Sequence, residues 1–110
     1  MSDERARRVG LNEALFRRVN EEIEALNEAL GTPDSMSVIC ECGDGQCMER
    51  IEIRLVDYEQ VRADPLLFIV VPGHVIPDLE SVTERADSWE VVRKVDGTAA
   101  SVAERTDPRS

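Results

Sequence analysis

Aromatic side chains are scarce in this chain: two Phe, one Tyr and one Trp among 110 residues. A core built from it must therefore rest on Val, Ile and Leu. Lysine is almost absent, since twelve of the thirteen basic residues are arginine, a bias typical of GC-rich bacterial genomes. No apolar run approaches the ~20 residues of a membrane span. The start, Met-Ser-Asp-Glu-Arg, is not the charged-then-apolar pattern of a signal peptide, so the chain is expected in the cytoplasm. Positive charge is in deficit, and the formal net charge of -10 opposes a phosphate backbone or an anionic membrane. Neither nucleic-acid nor membrane binding is expected. A phosphate-binding glycine loop, a nucleophile elbow, and the metal motifs of zinc deaminases and metalloproteases are also missing. With one histidine in the chain, catalysis is not the expected role.

What the sequence does hold fits one domain, with 42% hydrophobic and 33% charged residues. The expected fold is α+β: a long N-terminal amphipathic helix over residues 1–35 with its turn, a small metal-stabilised sheet with two short helices over 36–97, and a flexible tail over 98–110. Val9, Phe16, Val19, Ile23, Leu26 and Leu30, broadened by Leu11 and Leu15, recur at helical spacing from Asp3 to Leu30. Gly31-Thr32-Pro33 supplies a stop. Such a helix would be ~40 Å long, whereas a compact chain of this size has a radius of gyration near ~13 Å. It is expected either to overhang, with Phe16, Val19, Ile23 and Leu26 meeting a protein partner or a second copy, or to pack across its own sheet. The acidic face of Glu21, Glu22, Glu24 and Glu28 is expected in solvent.

Period-two patterning follows. Met36, Val38 and Cys40 form one strand, and Ile51, Ile53 and Leu55 the next, making a hairpin. Asp57 with Gln60 resembles a capping box for a short helix ended by Pro65. Leu66 to Val71 reads as a buried strand, Pro77 to Arg85 as a second short helix, and Trp89 to Val95 as a strand closed by Asp96-Gly97. One helical turn is allowed at Ala99 to Glu104, with the remainder frayed. Trp89 is expected in the core.

The chemistry concentrates at the hairpin tip. Cys40-x-Cys42-x4-Cys47 is an odd-numbered cluster within eight residues, unsuited to a disulfide framework and suited to metal or redox work. Residues two apart in extended chain share a face, and the Gly43 to Gln46 loop can return Cys47 toward them. Positive φ is expected at Gly43 and Gly45. Structural Zn2+ takes four ligands. His74, in a Pro-Gly-His turn, is the leading fourth, with Glu41, Asp44 or water as alternatives. Glu41 or Glu49 would be the candidate base were the metal catalytic.

Cys-Glu-Cys-Gly-Asp at 40–44, Cys47, Glu49-Arg50-Ile51-Glu52, Tyr58-Glu59, Val61-Arg62-Ala63-Asp64-Pro65 and Pro72-Gly73-His74 resemble an uncharacterised group of small actinobacterial proteins. The resemblance runs from Leu15-Phe16 to Val91-Val92. It implies a shared fold and a shared metal site at Cys40, Cys42, Cys47 and His74, and supplies no activity.

Three functions stand open at this point: a noncatalytic zinc-binding interaction or regulatory module, a thiol switch that releases Zn2+ on oxidation, and an acidic nucleic-acid mimic for a basic protein. The last rests on the -12 balance of residues 21–110, against +2 for residues 1–20.

Overall fold

A computed structural model describes residues 3–31, 34–95 and 97–109. The chain runs α1 (Asp3–Ala29), β1 (Ser35–Ile39), β2 (Arg50–Arg54), α2 (Leu55–Arg62), β3 (Leu67–Val70), β4 (Glu80–Arg85), β5 (Glu90–Lys94) and α3 (Thr98–Arg105). This is the expected mixed α+β class. Thr32, Pro33 and Asp96, which entered the expected helix stop and strand end, lie outside the described residues.

β1 and β2 pair antiparallel, with Met36 opposite Ile53 and Val38 opposite Ile51. All four side chains are buried, as the period-two pattern requires. A second, three-stranded antiparallel sheet has the order β3-β5-β4. Between the two sheets and α2 lies a core of Met36, Val38, Ile51, Ile53, Tyr58, Val61, Phe68, Ile69, Val70, Val91 and Val92, which Trp89 joins as expected.

Several expectations are corrected. Pro77-Asp78 starts a turn, not a helix, and residues 80–85 form β4. Proline followed by an acid is a helix-start signal, but Val82 and Thr83 are β-branched and the edge of β5 offers a ladder. No capping box forms at Asp57, because α2 begins at Leu55 and Arg54 is its N-cap, without a side-chain cap bond. The single turn expected at 99–104 is longer, an eight-residue helix with Ala99, Ala100, Val102 and Ala103 buried. Those small residues let α3 approach α1, where a Cβ on Gly10 would already stand 3.1 Å from Val102 Cβ.

The largest difference concerns α1. Its buried residues are Ala6, Val9, Gly10, Glu13, Arg17, Asn20 and Glu24, so the helix turns a largely polar face inward. Phe16, Val19 and Ile23 are half-buried along its flank, and Leu26 is exposed. Each inward polar group meets a partner from far along the chain. Lys94 Nζ lies 2.5 Å from Glu13 and also bonds Glu80, with all three side chains fully buried. The Arg17 guanidinium donates to the carbonyls of Pro65 and Ala103, each at 2.7 Å, and sits 4.5 Å above the Phe68 ring. Arg62 bonds Glu21 and Asp107. Glu24 is buried and joined by Glu21 and Glu59 around the guanidinium of Arg109, so this part of the acidic face is neutralised internally rather than solvated.

Two carboxylates facing one ammonium leave a negative charge in excess. Burial raises the Glu13 carboxyl from 4.5 to about 8, Lys94 opposing that rise. Folded protein thus holds a proton that the unfolded chain releases between those values. This group's contribution to stability is fully present below about 4.5 and is lost as pH climbs through about 8. Glu24, also raised to about 8 by burial, adds to the same slope. Thermal unfolding followed by circular dichroism should show this decline, and Glu13→Gln should flatten it in part and exceed the wild type in stability at the alkaline end.

Candidate metal centre

The hairpin tip is built by alternation. As the chain leaves β1, Cys40 and Cys42 face one way and Glu41 the other. The Cys40 N–H donates to the Glu49 carbonyl at 2.9 Å, extending the β1-β2 ladder by one step. Glu41 crosses toward β3, its N–H donating to the Ile69 carbonyl at 2.8 Å. Asp44 accepts from the Gln46 N–H through Oδ1 at 2.8 Å, and its carbonyl accepts from the Cys47 N–H at 3.1 Å. This tight turn brings Cys47 back to the other two sulfurs.

The loop rests on α1. Asn12 Nδ2 donates to the Gly43 carbonyl at 3.0 Å. A Cβ on Gly43 would stand 2.3 Å from Val9 Cγ1. Close approach is what requires this glycine. Positive φ occurs at Gly31, Gly73 and Gly97 among the described residues, so the expectation for Gly43 and Gly45 is corrected. Gly73, at φ 89°, makes the turn after β3 that presents His74.

Cys40, Cys42, Cys47 and His74 each offer one donor atom, and the four atoms lie within 4.8 Å of one another. His74 Nδ1 stands 3.5 Å from Cys40 Sγ and 3.8 Å from Cys47 Sγ. A tetrahedral ion with arms of ~2.3 Å to sulfur and ~2.05 Å to nitrogen separates those two donors by ~3.6 Å. The two distances bracket that value. One ring nitrogen has a single lone pair or a single proton and cannot satisfy two thiols well, whereas an ion between them satisfies all the donors at once.

The surroundings suit the same chemistry. His74 Nε2 lies 3.0 Å from Glu49 Oε2, an arrangement that fixes the ring and leaves Nδ1 free to face the sulfurs. The Val71 N–H points at Cys40 Sγ at 3.2 Å. Hydrogen bonding between Cys40 and Cys42 pushes the Cys40 thiol up, with burial adding to the rise, and pulls the Cys42 thiol down. Burial raises Cys47. One thiolate is thus already favoured within the cluster, and a divalent ion would deprotonate the others.

Glu41, an expected alternative ligand, is instead fully buried on the opposite side. Its carboxylate accepts from Asn20 Nδ2 at 2.9 Å, Tyr58 OH at 3.1 Å and the Ile69 N–H at 3.1 Å. Asp44 is engaged in its own turn. Cys40 and Cys42 are buried, while Cys47 and His74 are half-buried, beside an open cleft of about 230 Å³ lined by Cys42, Gly43, Asp44, His74 and Ile76. The anchoring role of Glu41 has one signal in sequence: a residue between two same-face cysteines must point away from them. The second acidic grouping, Glu24, Glu28 and Glu59, already holds a cation in Arg109, whose guanidinium keeps the Glu59 carboxyl down at about 2.

No family description, curated protein or solved structure matches the chain. No helix among the described residues is long and apolar enough to cross a membrane.

The contact of Gly43 with Val9 gives a direct test of how the loop is held. Gly43→Ala should destabilise the protein by about 1–3 kcal/mol in chemical denaturation, the usual range for overpacking. Val9→Ala in the same chain should restore part of that loss by removing the obstructing methyl.

Proposed function

We infer that the chain is a noncatalytic zinc-binding protein. In this reading Cys40, Cys42, Cys47 and His74 hold one Zn2+, and the stabilised domain acts as a protein-protein interaction or regulatory module through α1. The observation that carries it is the convergence of four soft or borderline donors, from two separate stretches, to within 4.8 Å of one another, with two nitrogen–sulfur distances close to those a tetrahedral ion requires. Three sulfurs and one nitrogen favour zinc over magnesium or calcium, which prefer oxygen. Four protein ligands also leave no open position for substrate or water, the mark of a structural rather than a catalytic site. Glu49, the nearest candidate base, is occupied in orienting His74.

The energetic role follows from what the ion would join. It would tie the hairpin tip to the turn after β3, and so one sheet to the other. Zinc binding to small peptides is worth roughly 10–16 kcal/mol, comparable with the ~5–15 kcal/mol net stability of a whole domain.

A second reading, a thiol switch, draws on the half-exposure of Cys47 and on the open cleft beside Cys42 and His74. Hydrogen peroxide would convert a thiolate to the sulfenic acid with release of hydroxide. A second thiolate would then displace hydroxide to form a disulfide, and the ion would lose two ligands.

Metal analysis of protein purified without added zinc should give one Zn2+ per chain, and chelation should lower the melting temperature sharply. Cys42→Ser should lose most of the zinc. Unchanged zinc content and melting in that variant would defeat the reading. Zinc release by low peroxide, reversed by reductant, would add the switch; thiols inert in the zinc-loaded protein would remove it.

A further inference from the structure

The outward face of α1 carries four exposed leucines: Leu11 at 43%, Leu15 at 56%, Leu26 at 59% and Leu30 at 78% relative exposure. At 3.6 residues per turn they fall within about 100° of arc and span ~28 Å of helix. Their positions have a symmetry. Leu11 and Leu30 are equidistant from the point between Asn20 and Glu21, and so are Leu15 and Leu26. Between the two leucine pairs the same face bears Arg18 and Glu22, both exposed.

We propose that α1 pairs antiparallel with α1 of a second copy of this chain, about a two-fold axis at that midpoint. The proposal deepens the interaction half of the function inferred above, on which it rests, and its contacts include none of the four metal-site residues. A two-fold contact must be self-complementary, with residue i meeting j and j meeting i. This face satisfies that condition: the leucine pair of one half meets the leucine pair of the other, and Arg18 of each copy comes beside Glu22 of its mate. Parallel pairing would instead set Arg18 against Arg18 and Glu22 against Glu22, so the charges select the antiparallel arrangement.

A hollow in the surface formed partly by the same side chains fits this register. Leu11, Ala14, Leu15 and Arg18, with Thr106 at the rim, line a depression of about 210 Å³. Four residues at i, i+3, i+4 and i+7 are the hole that receives one knob from a facing helix. The hole is centred between Ala14 and Leu15, and the position related to that centre by the two-fold is Leu26–Asn27. Leu26, exposed and apolar, is the knob of the second copy. This outward face is turned away from the charged network beneath it.

The test uses zinc-loaded, full-length protein in sedimentation equilibrium, with circular dichroism and zinc content measured on every variant. Wild type should be a dimer. Leu26→Glu should be a folded monomer that retains its zinc, which separates failure of this contact from failure of the metal site. Arg18→Glu and Glu22→Arg should each raise the dimer dissociation constant about tenfold or more, like charges then facing across the axis. The double exchange R18E/E22R should bring it back toward wild type. A monomeric wild type overturns the proposal, as does a dimer that Leu26→Glu leaves intact, or one that the double exchange fails to restore.

Discussion

A carboxylate set between two sulfurs constrains the whole arrangement. Because extended chain alternates its side chains, aiming Cys40 and Cys42 at one point drives Glu41 into the interior. A buried carboxylate is costly unless donors surround it. Here they come from three elements: Asn20 on α1, Tyr58 on α2 and the Ile69 N–H on β3. Asn20 also fixes Ile39, the residue before Cys40, its Nδ2 donating to the Ile39 carbonyl and its Oδ1 accepting from the Ile39 N–H, each at 2.8 Å. The direction of two thiols is therefore set by hydrogen bonds on the far side of the strand. A ligand cluster on a loop becomes as rigid as the core behind it.

The same principle extends along α1. Burying Glu13, Arg17, Asn20 and Glu24 would be destabilising in isolation, and each is balanced by a partner from another part of the chain. Arg17 spends its guanidinium on the carbonyls of Pro65, before β3, and Ala103, in α3, and shares the Phe68 ring with Lys94, whose Nζ lies 5.6 Å from the centroid. Such contacts contribute little net stability compared with an apolar seam of the same volume. Their directional bonds do restrict how the helix can sit. Sliding α1 by one turn would strand Glu13 without Lys94 and Arg17 without the Ala103 carbonyl, leaving buried charge unpaired. In a chain with so few aromatic residues, this polar interlock supplies the registration that ring packing would otherwise supply.

Much of the fold could be read from residue order because it rests on local rules. The α1 span and the β1-β2 hairpin follow from periodicity, β3 from an unbroken apolar run, and Trp89 from size. The side of α1 that turns inward could not be read. Hydrophobic periodicity sets Phe16, Val19, Ile23 and Leu26 against the chain's own sheet or a partner, and nothing local to Glu13 reveals Lys94 some eighty residues later. The strand at Glu80–Arg85 was hidden for a related reason: its first inward residue is a glutamate, which looks polar until Lys94 and Glu13 are placed against it. The donor cluster was legible because cysteine and histidine are rare enough here for the possible combinations to be few. Its positioning residues were less so: alternation alone points Glu41 away from the sulfurs, and Asn12 and Asn20 belong to a type that is ordinarily solvated.

Helix α1 serves both regions of interest, on opposite faces. Its inner surface grips the cysteine loop through Val9 against Gly43, Asn12 on the Gly43 carbonyl and Asn20 on Ile39 and Glu41. These contacts fall along one side of three successive turns and leave the helix no freedom to roll. Its outer surface, with Leu11, Leu15, Leu26 and Leu30, is presented at an angle those contacts fix. A stable cysteine loop is thus a condition for a constant outer face, because the loop supplies part of the surface against which α1 is seated.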